Sequence, residues 1–338
     1  MKDERKQRIV VAGAGSIGCF VGGQLAAAGH AVTFLARARI AEEIEQHGLT
    51  LSDQDDCTLR VAAKDLAIAI DPGVLASADV VLVTVKSGAT SEMAASIRAY
   101  APAHATVVSL QNGVDNATIL QGALPGMKVV AGMVPFNVVA LGAGRFHRAT
   151  GGDIVVDAKA AALAEALSTP HLPIATAADM RAVAWGKLLL NLNNALNALA
   201  GVPLREELAQ RDWRRVLAAC IAEALAALKA AGIRPAKVGA LPPALLPPVL
   251  RLPDALFRVV AAAQLRIDPN ARSSMWDDLE HRRTTEIDQL QGAIVALAAK
   301  HGTVAPMNQA VLVRIKEAEK KGGGSPHLAA KSIAAVPE

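Results

Sequence analysis

The stretch that decides the fold is Ile9-Val10-Val11-Ala12-Gly13-Ala14-Gly15-Ser16-Ile17-Gly18, an apolar run followed by a glycine-rich turn. An alanine-rich segment with a helical pattern comes next, and a second apolar run, Ala31-Val32-Thr33-Phe34-Leu35, begins after Gly29-His30. This order predicts a strand, a GxGxxG turn, a helix and a second strand. Such a turn holds the pyrophosphate of a dinucleotide at the helix N-terminus. The alternative is a glycine-rich turn with a purely structural role.

Each glycine of this turn has an expected role. Gly13 allows the tight bend, Gly15 lets the backbone approach a pyrophosphate, and Gly18 lets the helix pack close to the strand. We therefore predict that the cofactor binds along the whole turn, which consists of Gly13, Ala14, Gly15, Ser16, Ile17 and Gly18.

The end of the second strand indicates which dinucleotide is bound. An NAD-binding unit usually has Asp or Glu there, to accept hydrogen bonds from the ribose 2′-hydroxyl. This chain has no acidic residue between Gly13 and Glu42, and it has Arg37 and Arg39 instead. A guanidinium group can pair with a 2′-phosphate in fork geometry. We predict NADP(H) as the cofactor, the alternative being that both arginines are ordinary solvated loop residues.

Composition excludes several classes of protein. The chain has 338 residues, enough for two domains, and a net charge of +4 without a basic patch interleaved with aromatic residues, which argues against nucleic acid as a partner. The three cysteines have no CxxC or histidine-rich spacing, so we expect no disulfide framework and no metal site. The charged N-terminus is unlike a signal peptide, and no helix pattern is long enough to span a bilayer. A soluble cytoplasmic protein is expected.

The first half of the chain alternates predicted strands and helices. Further strands are expected at 80–85, 106–110 and 129–133, and antiparallel strands between Phe146 and Asp157 with a turn at Gly151-Gly152-Asp153. The second half is helical, with helices expected at 180–200, 211–231, 275–300 and 306–320. A connector with six prolines runs from Pro235 to Pro253 and is expected to be irregular or partly helical.

Two polar residues follow predicted strands of the first half. Lys86 comes directly after the strand at 80–85, and Asn112 lies in Gln111-Asn112-Gly113 after the next strand. Ligands of open α/β sheets bind outside the carboxyl ends of the strands, so both side chains could face a cofactor. A solvated loop lysine and an asparagine that caps a turn before Gly113 are the alternatives.

A polar stripe interrupts the leucine-rich helix that follows Trp185. At about 100° per residue, Lys187, Asn191 and Asn194 fall on one face of a helix. Partial burial lowers the pKa of a lysine and helps it to donate a proton near neutral pH. The alternative is the solvent-facing side of an amphipathic helix.

Ser274 with Asp277 is either a helix N-cap or part of a site for a substrate carboxylate.

Taken together, the motifs resemble those of the ketopantoate reductases (2-dehydropantoate 2-reductases), and the resemblance extends to about residue 320. The matching motifs are Gly13-Ala14-Gly15-Ser16-Ile17-Gly18, Thr84-Val85-Lys86, Leu110-Gln111-Asn112-Gly113, Trp185-Gly186-Lys187 with Asn191, and Ser273-Ser274-Met275 with Thr285-Glu286-Ile287-Asp288. Each motif alone is unspecific, but the five occur in the order and spacing of the family.

The resemblance implies an α/β architecture in which an N-terminal Rossmann-type NADP-binding domain (1–178) precedes an all-helical C-terminal domain (179–321). It implies that NADPH and a 2-oxo acid bind between the two domains and that 2-dehydropantoate is reduced to pantoate for pantothenate synthesis. From the sequence itself, residues 322–338 are expected to be a poorly ordered tail. No nucleic acid or membrane is expected as a partner, and a homodimer is one candidate assembly.

The resemblance also implies roles for single residues. Lys187 matches the general acid, Asn191 an amide that contacts substrate, and Ser274 a hydroxyl that contacts substrate. Glu286 matches a carboxylate that engages a substrate hydroxyl or the cofactor ribose. Asn112 matches an amide near both nicotinamide and substrate, while the cofactor-side basic residues are matched by Lys86 and Arg37.

The chain departs from the family at two positions that concern substrate recognition, Ala195 and Leu204, where members of the family often have asparagine. Many members have a second substrate-binding asparagine eight residues after the lysine, where this chain has Ala195. Asn194 is the expected replacement, since it faces the same side as Lys187. Three alternatives therefore remain open: a reductase of another 2-oxo acid, a related β-hydroxyacid dehydrogenase, and an NADP-sensing protein without catalysis.

Overall fold

The computed structural model describes residues 7–54, 57–260 and 271–333. The chain divides between Met180 and Arg181 into two compact units. The first unit contains every strand among the described residues, and the second consists of helices and their connections. No helix within the described ranges has both the length and the apolar composition that crossing a membrane requires.

The first unit is built on an eight-stranded sheet with the strand order β12-β11-β8-β7-β6-β1-β2-β5. All neighbouring strands run parallel except β8 and β11, which are antiparallel. The strands of this sheet are β1 (Arg8–Ala12), β2 (Ala31–Leu35), β5 (Ala67–Ala69), β6 (Val80–Val83), β7 (Thr106–Ser109), β8 (Lys128–Met133), β11 (Ile154–Asp157) and β12 (Ile174–Ala177). The helices of the unit are α1 (Ser16–Ala27), α2 (Ala38–His47), α3 (Thr90–Tyr100), α4 (Asn116–Ala123) and α5 (Ala161–Leu167).

The central strands of this sheet are buried on both faces. Side chains alternate across a strand, so Ile9 and Val11 join one apolar core while Val10 and Ala12 join the other. This explains why the sequence shows continuous apolar runs rather than polar and apolar residues in alternation. In the strand order, β2 lies beside β1 on one side, whereas β7 lies beside β6 on the opposite side. The strand order therefore reverses direction between β1 and β6, as in a doubly wound sheet. The predicted Rossmann-type fold followed by a helical domain is confirmed.

A smaller four-stranded sheet has the order β4-β3-β10-β9. Its strands are β3 (Leu49–Asp53), β4 (Thr58–Val61), β9 (Val138–Gly142) and β10 (Arg145–Arg148). The predicted hairpin around Gly151-Gly152-Asp153 is wrong, because β10 pairs with β9 and β11 pairs with β8 of the other sheet. The hairpin turn lies at Ala143-Gly144, where both residues have positive φ angles. Gly151-Gly152-Asp153 instead connects the two sheets.

The second unit contains nine α-helices within the described ranges. They are α6 (Met180–Asn191), α7 (Asn193–Ala200), α8 (Leu204–Ala209), α9 (Arg211–Ala230), α10 (Leu246–Leu250), α11 (Asp254–Val260), α12 (Ser274–Glu280), α13 (Gln291–Lys300) and α14 (Pro306–Lys321). The predicted helix at 275–300 is in fact α12 and α13, separated by an extended segment and a short 3₁₀ helix (Ile287–Gln289). The proline-rich connector is partly helical, as predicted, and contains α10.

The described part of the predicted disordered tail packs against the helices, so that prediction is wrong for residues 322–333. Ser325 donates its hydroxyl to the Ala198 carbonyl oxygen at 2.7 Å, and the Leu328 amide donates to the Leu199 oxygen at 2.8 Å. Ile333 is fully buried. Hydrogen bonds to backbone groups more than a hundred residues away cannot be predicted from a glycine-rich sequence. Residues 334–338 lie outside the described ranges.

Candidate functional site

The turn between β1 and α1 requires glycine at two positions. Gly13 has a φ of +111°, and a Cβ there would come within 2.7 Å of the Val85 side chain. A Cβ on Gly18 would lie 2.2 Å from the Gly13 carbonyl oxygen. Both contacts are far shorter than van der Waals distance, so the turn and its packing on the sheet exclude any larger side chain.

The third glycine of the turn leaves space outside the backbone. A Cβ on Gly15 would meet no described atom within 4 Å. Gly15 is the N-cap of α1, makes no side-chain cap, and is followed by a first turn without an acidic residue. The first amide groups of a helix lack partners within the helix and carry a partial positive charge. Open space in front of such amides fits the pyrophosphate of a dinucleotide.

The loops at the carboxyl ends of β1, β6 and β7 are joined by side-chain hydrogen bonds. The Thr84 hydroxyl donates to the Gly13 carbonyl oxygen at 2.6 Å, and Gln111 Nε2 donates to the Val85 oxygen at 3.0 Å. The Ser87 hydroxyl donates to the Asn112 carbonyl oxygen at 2.9 Å. These bonds fix three neighbouring loops at one edge of the sheet.

Lys86 and Asn112, both singled out from the sequence, lie in these joined loops. Lys86 is exposed and Asn112 is half-buried. Beneath them is a buried polar cluster in which the Thr90 hydroxyl donates to Asn116 Oδ1 at 2.7 Å. The cluster was not predicted from the sequence, although a polar run in an otherwise apolar α/β sequence can indicate one. The cluster supports the loops that carry the two candidate side chains.

The two arginines after β2 differ in their surroundings. Arg39 Nη1 lies 3.4 Å from Glu43 Oε2, one helical turn further along α2. Arg37 is the exposed N-cap residue of α2, and its guanidinium group makes no hydrogen bond or ion pair with any residue in the described ranges. Of the two cations, Arg37 is therefore the one whose guanidinium group can take up an external phosphate without losing an existing partner.

In the second unit, Lys187 lies on α6 between buried residues. It is half-buried, and Leu188 and Leu189 beside it are 1% and 0% exposed. Burial lowers the pKa of Lys187 to about 8. An ammonium group with that pKa remains mostly protonated at neutral pH and gives up its proton more readily than an ordinary lysine. Asn191 is one turn further on the same helix face and is 7% exposed.

The helix predicted at 180–200 is interrupted at Leu192, between α6 and α7. The fully buried Gln291 donates its side-chain amide to the Leu192 carbonyl oxygen at 2.8 Å. A side chain inserted at a backbone carbonyl is a common cause of a helix irregularity. Lys187 and Asn191 therefore lie on α6, whereas Asn194 lies in the first turn of α7. The polar stripe predicted on one helix is divided between two.

The start of α12 is attached to α7 by Ser273. Its hydroxyl donates to the Asn194 carbonyl oxygen at 2.8 Å and accepts from the Trp276 amide at 3.1 Å. Its own amide donates to Asn197 Oδ1 at 2.8 Å. The N-cap is therefore Ser273, not Ser274 as one reading of the sequence allowed. Ser274 is the exposed first residue of α12, directly beside the contact with Asn194.

A buried acid lies behind this contact. Glu207 is 1% exposed and accepts hydrogen bonds from Asn197 Nδ2 at 2.9 Å and Asn193 Nδ2 at 3.4 Å. Burial raises the pKa of Glu207 to about 8, while the two amide hydrogen bonds act in the opposite direction. Neither Glu207 nor Asn197 was predicted from the sequence as a functional residue. A glutamate in an exposed-looking helix gives no local sign that it will be buried.

Glu286 lies between α12 and α13, at the N-cap of the short 3₁₀ helix. The neighbouring Thr285 is held by α14, because its amide and hydroxyl both donate to Glu319 Oε1 at 2.8 and 2.7 Å. Glu286 itself is half-buried. Of the other four candidates of the second unit, Lys187 and Asn191 lie on α6, Asn194 lies on α7, and Ser274 lies at the start of α12.

Comparison with protein families gives two matches that follow the two units. Residues 9–160 match the family model for ketopantoate reductase PanE/ApbA. Residues 179–319 match the model for the C-terminal part of ketopantoate reductase PanE/ApbA. A 2-dehydropantoate 2-reductase of Halobacterium salinarum is 29% identical over 324 residues, which cover 93% of this chain and 100% of that protein.

Solved structures of similar architecture include a PanE/ApbA family ketopantoate reductase from Ralstonia eutropha JMP134. It has a TM-score of 0.79 and 30% identity, and the match covers 93% of this chain and 99% of that one. A D-mandelate dehydrogenase solved with NADH and anilino(oxo)acetate has a TM-score of 0.75 over 93% of this chain and 99% of that one. At 20% identity, the latter likeness concerns the fold alone.

Proposed function

Because the chain belongs to the ketopantoate reductase family, we propose that it reduces 2-dehydropantoate to pantoate with NADPH, as a step of pantothenate and coenzyme A synthesis. The observation that carries the proposal is Lys187, a lysine whose pKa is lowered to about 8 within a leucine-rich helix. Matches of family models to both units support the same reading. The enzyme class predicted from the sequence, an oxidoreductase, agrees with the family.

In this proposal the first unit binds the cofactor. The amides at the start of α1 receive the pyrophosphate, in the open space in front of Gly15. Arg37 pairs with the 2′-phosphate of the adenosine ribose, which selects NADP(H) over NAD(H). Lys86 and Asn112 contact the cofactor from the joined loops after β6 and β7, and Asn112 also approaches the substrate. A bound nicotinamide supplies the hydride to the ketone carbon.

Lys187 acts as the general acid in this scheme. Reduction of a ketone develops negative charge on its oxygen, and an ammonium group beside that oxygen stabilises the charge and then donates the proton. A partly desolvated setting strengthens this interaction, because the effective dielectric constant there is lower than in water. A pKa near 8 leaves Lys187 mostly protonated at neutral pH, so the donor is in the required state.

The remaining candidates hold the substrate. Asn191 and Asn194 offer amide groups, and Ser274 offers a hydroxyl, as hydrogen-bonding partners of a 2-oxo acid. Glu286 accepts a hydrogen bond from a substrate hydroxyl or from the cofactor ribose. Ser273 and Asn197 would not touch the substrate, since they serve to fix α12 against α7.

A second candidate function is the reduction of a different 2-oxo acid. Ala195 favours it, because an alanine buried in α7 cannot replace the amide that many members of the family use for substrate. A D-mandelate dehydrogenase shares the fold, and that protein acts, by its name, on mandelate, a 2-hydroxy acid other than pantoate. The two candidates share the lysine chemistry and differ only in the substrate.

A panel of 2-oxo acids tests the proposal. Purified protein is mixed with NADPH and ketopantoate, 2-oxoisovalerate or phenylglyoxylate, and the nicotinamide absorbance is followed. We expect kcat/KM to be highest for ketopantoate, because its hydroxyl can pair with Glu286. Faster turnover of another acid would move the substrate assignment to that compound, and no turnover with any acid would contradict the proposed function.

Cytoplasmic localisation and assembly as a homodimer remain predictions.

A further inference from the structure

We propose that Asp53, Cys57 and His171 form a binding site for Zn²⁺ or a chemically similar divalent transition-metal ion. The ligand atoms of the three side chains all lie within 4.8 Å of one another. The three residues belong to the first unit, and none of them is among the residues proposed to bind cofactor or substrate. The site would therefore be an addition to the reductase function and does not depend on it.

Two of the ligands come from one end of the β3–β4 hairpin. Asp53 is the last residue of β3, and its amide donates to the Cys57 carbonyl oxygen at 3.2 Å. In return, the Cys57 amide donates to Asp53 Oδ1 at 3.0 Å. This reciprocal pair closes the hairpin and fixes the two backbones side by side. A carboxylate offers about four lone-pair sites, so accepting an amide hydrogen is compatible with binding a metal.

The third ligand comes from a rigid turn 114 residues further along the chain. Thr169 and Leu172 exchange two backbone hydrogen bonds of 3.1 Å, and Leu172 also donates to the Thr169 hydroxyl at 3.0 Å. His171 lies inside this closed turn, between Pro170 and Pro173, whose rings restrict the backbone further. The histidine is thus presented from a backbone with little conformational freedom.

The spacing of thiol and imidazole agrees with shared coordination of one ion. Cys57 Sγ lies 3.4 Å from His171 Nδ1. With Zn–S of about 2.3 Å and Zn–N of about 2.1 Å, tetrahedral coordination places S and N about 3.6 Å apart. The largest distance between two of the three ligand atoms, up to 4.8 Å, would have to shorten by roughly 1 Å on metal binding. Rotation of the Asp53 carboxylate can provide this change. Without a metal, the same contact is a thiol–imidazole hydrogen bond.

The donor set selects the type of ion. Thiolate and imidazole ligands suit Zn²⁺ and other transition metals, whereas Mg²⁺ and Ca²⁺ prefer oxygen ligands only. Three protein ligands leave a fourth position for water. The bound ion would connect the β3–β4 hairpin of the small sheet to the turn that precedes β12 of the large sheet. The sequence predicted no metal site because its ligands are not close in sequence.

Cobalt titration provides the test, because a thiolate bound to Co²⁺ produces an intense near-ultraviolet charge-transfer band. Co²⁺ and then Zn²⁺ are added to the reduced, metal-free full-length protein. We expect the band to saturate at one equivalent of Co²⁺ and to disappear when Zn²⁺ displaces the cobalt.

Cys57→Ser and His171→Ala should abolish the band. Asp53→Asn should weaken Co²⁺ binding at least about tenfold, while it keeps the oxygen that accepts the hydrogen bond of the Cys57 amide. A band that persists unchanged in His171→Ala, or no band in the wild type, overturns the proposal.

A matched control and a second readout exclude nonspecific binding. His47 is exposed at the end of α2, in the same unit, so His47→Ala should bind Co²⁺ like the wild type. Cys57 is half-buried, whereas Cys19 and Cys220 are fully buried. One equivalent of Zn²⁺ should therefore protect Cys57 from a thiol reagent in the wild type and not in His171→Ala. Equal labelling with and without Zn²⁺ would contradict the proposed coordination.

Discussion

At the scale of single residues, Lys187 is the group on which the proposed reaction depends. A lysine placed among buried leucines loses hydration of its charged form, and this lowers its pKa to about 8. Burial therefore brings the pKa of Lys187 into the range that the proposed proton donor needs near neutral pH. The effect comes from packing, so replacement of the lysine removes the donor while the apolar surroundings remain.

We expect Lys187→Ala to lower kcat by roughly 10²–10⁴, the usual contribution of general acid catalysis. The affinity for NADPH should change little, because the turn proposed to bind its phosphates lies in the first unit. In the wild type, the rate of hydride transfer should fall as pH rises through about 8, since the lysine then loses its proton. Single-turnover rates across pH would show this alkaline limb in the wild type and its absence in the variant.

The control is Lys229→Ala, which removes an exposed lysine of α9 in the same unit. It should keep the wild-type rate and alkaline limb. If Lys187→Ala itself keeps both, the proton comes from water and the lysine only positions substrate.

Arg37 is the residue expected to determine cofactor choice. Arg37→Ala should raise the KM for NADPH about tenfold or more, as loss of a charge-assisted phosphate contact of about 1.5–3 kcal/mol implies. The KM for NADH should barely move, because NADH has no 2′-phosphate. Arg39→Ala is the matched control, since Arg39 pairs with Glu43 and should affect neither cofactor. Equal changes for the two cofactors would assign Arg37 a structural role.

At the scale of elements, the contact between α7 and α12 orders the proposed substrate side. Ser273 and Asn197 fix the first turn of α12 against α7, and Glu207 of α8 supports Asn197 from behind. All three are at most 2% exposed. A buried polar network of this kind stabilises one arrangement only when its members are satisfied, so the protonation state of Glu207 matters.

Glu207 should make stability depend on pH. Its pKa in the folded protein, about 8, lies above the ordinary value of 4.5, so the folded state binds the proton more tightly than the unfolded state. The contribution of Glu207 to the free energy of unfolding should therefore be largest below about pH 4.5 and should fall as pH rises to about 8. Glu207→Gln keeps a neutral hydrogen-bonding group and should remove this slope, a difference on the order of 1–3 kcal/mol at pH 8.

Urea unfolding measured by tryptophan fluorescence checks the prediction, because Trp185, Trp213 and Trp276 all belong to the second unit. Glu206→Gln, at the exposed neighbouring position of α8, is the control and should follow the wild-type slope. Parallel slopes for the wild type and Glu207→Gln would mean that Glu207 is ionised in the folded protein.

At the scale of the whole molecule, Arg214 connects the helices of the second unit. It is 1% exposed, and its guanidinium group donates at 3.0–3.3 Å to the carbonyl oxygens of Leu208 in α8, Leu250 at the end of α10 and Leu252 just beyond it. It also pairs with Asp254 at 2.6 Å. One side chain therefore satisfies several helix-terminal carbonyls that would otherwise be buried without partners.

Arg214→Met should lower the free energy of unfolding by about 3 kcal/mol or more, because the carbonyl oxygens lose their donor while the apolar volume is largely kept. Arg215→Met is the matched control, since Arg215 is the exposed next residue of α9 and should change stability by less than about 0.5 kcal/mol. The same fluorescence-detected urea unfolding compares the two. Equal stabilities of the two variants would show that the guanidinium bonds contribute nothing net.

The sequence predicted those features whose causes are local. The GxGxxG turn, the apolar runs of β1 and β6, and the long helices α9 and α14 follow from backbone sterics and residue periodicity over a few turns. The family and enzyme class predicted from five ordered motifs are confirmed. The roles of the individual site residues remain predictions, because they concern contacts with ligands.

What the sequence determined by itself is therefore the doubly wound sheet, the helical second unit and the positions of its candidate lysine and asparagines. Only the tertiary structure decided that Gln291 interrupts the helix at Leu192, that Ser273 bonds to Asn194 of α7, and that Cys57 meets His171. The physical reason is the distance along the chain. A hydrogen bond or contact between residues about a hundred positions apart leaves no periodicity or spacing in the sequence, and it forms only when the packed elements bring its partners together.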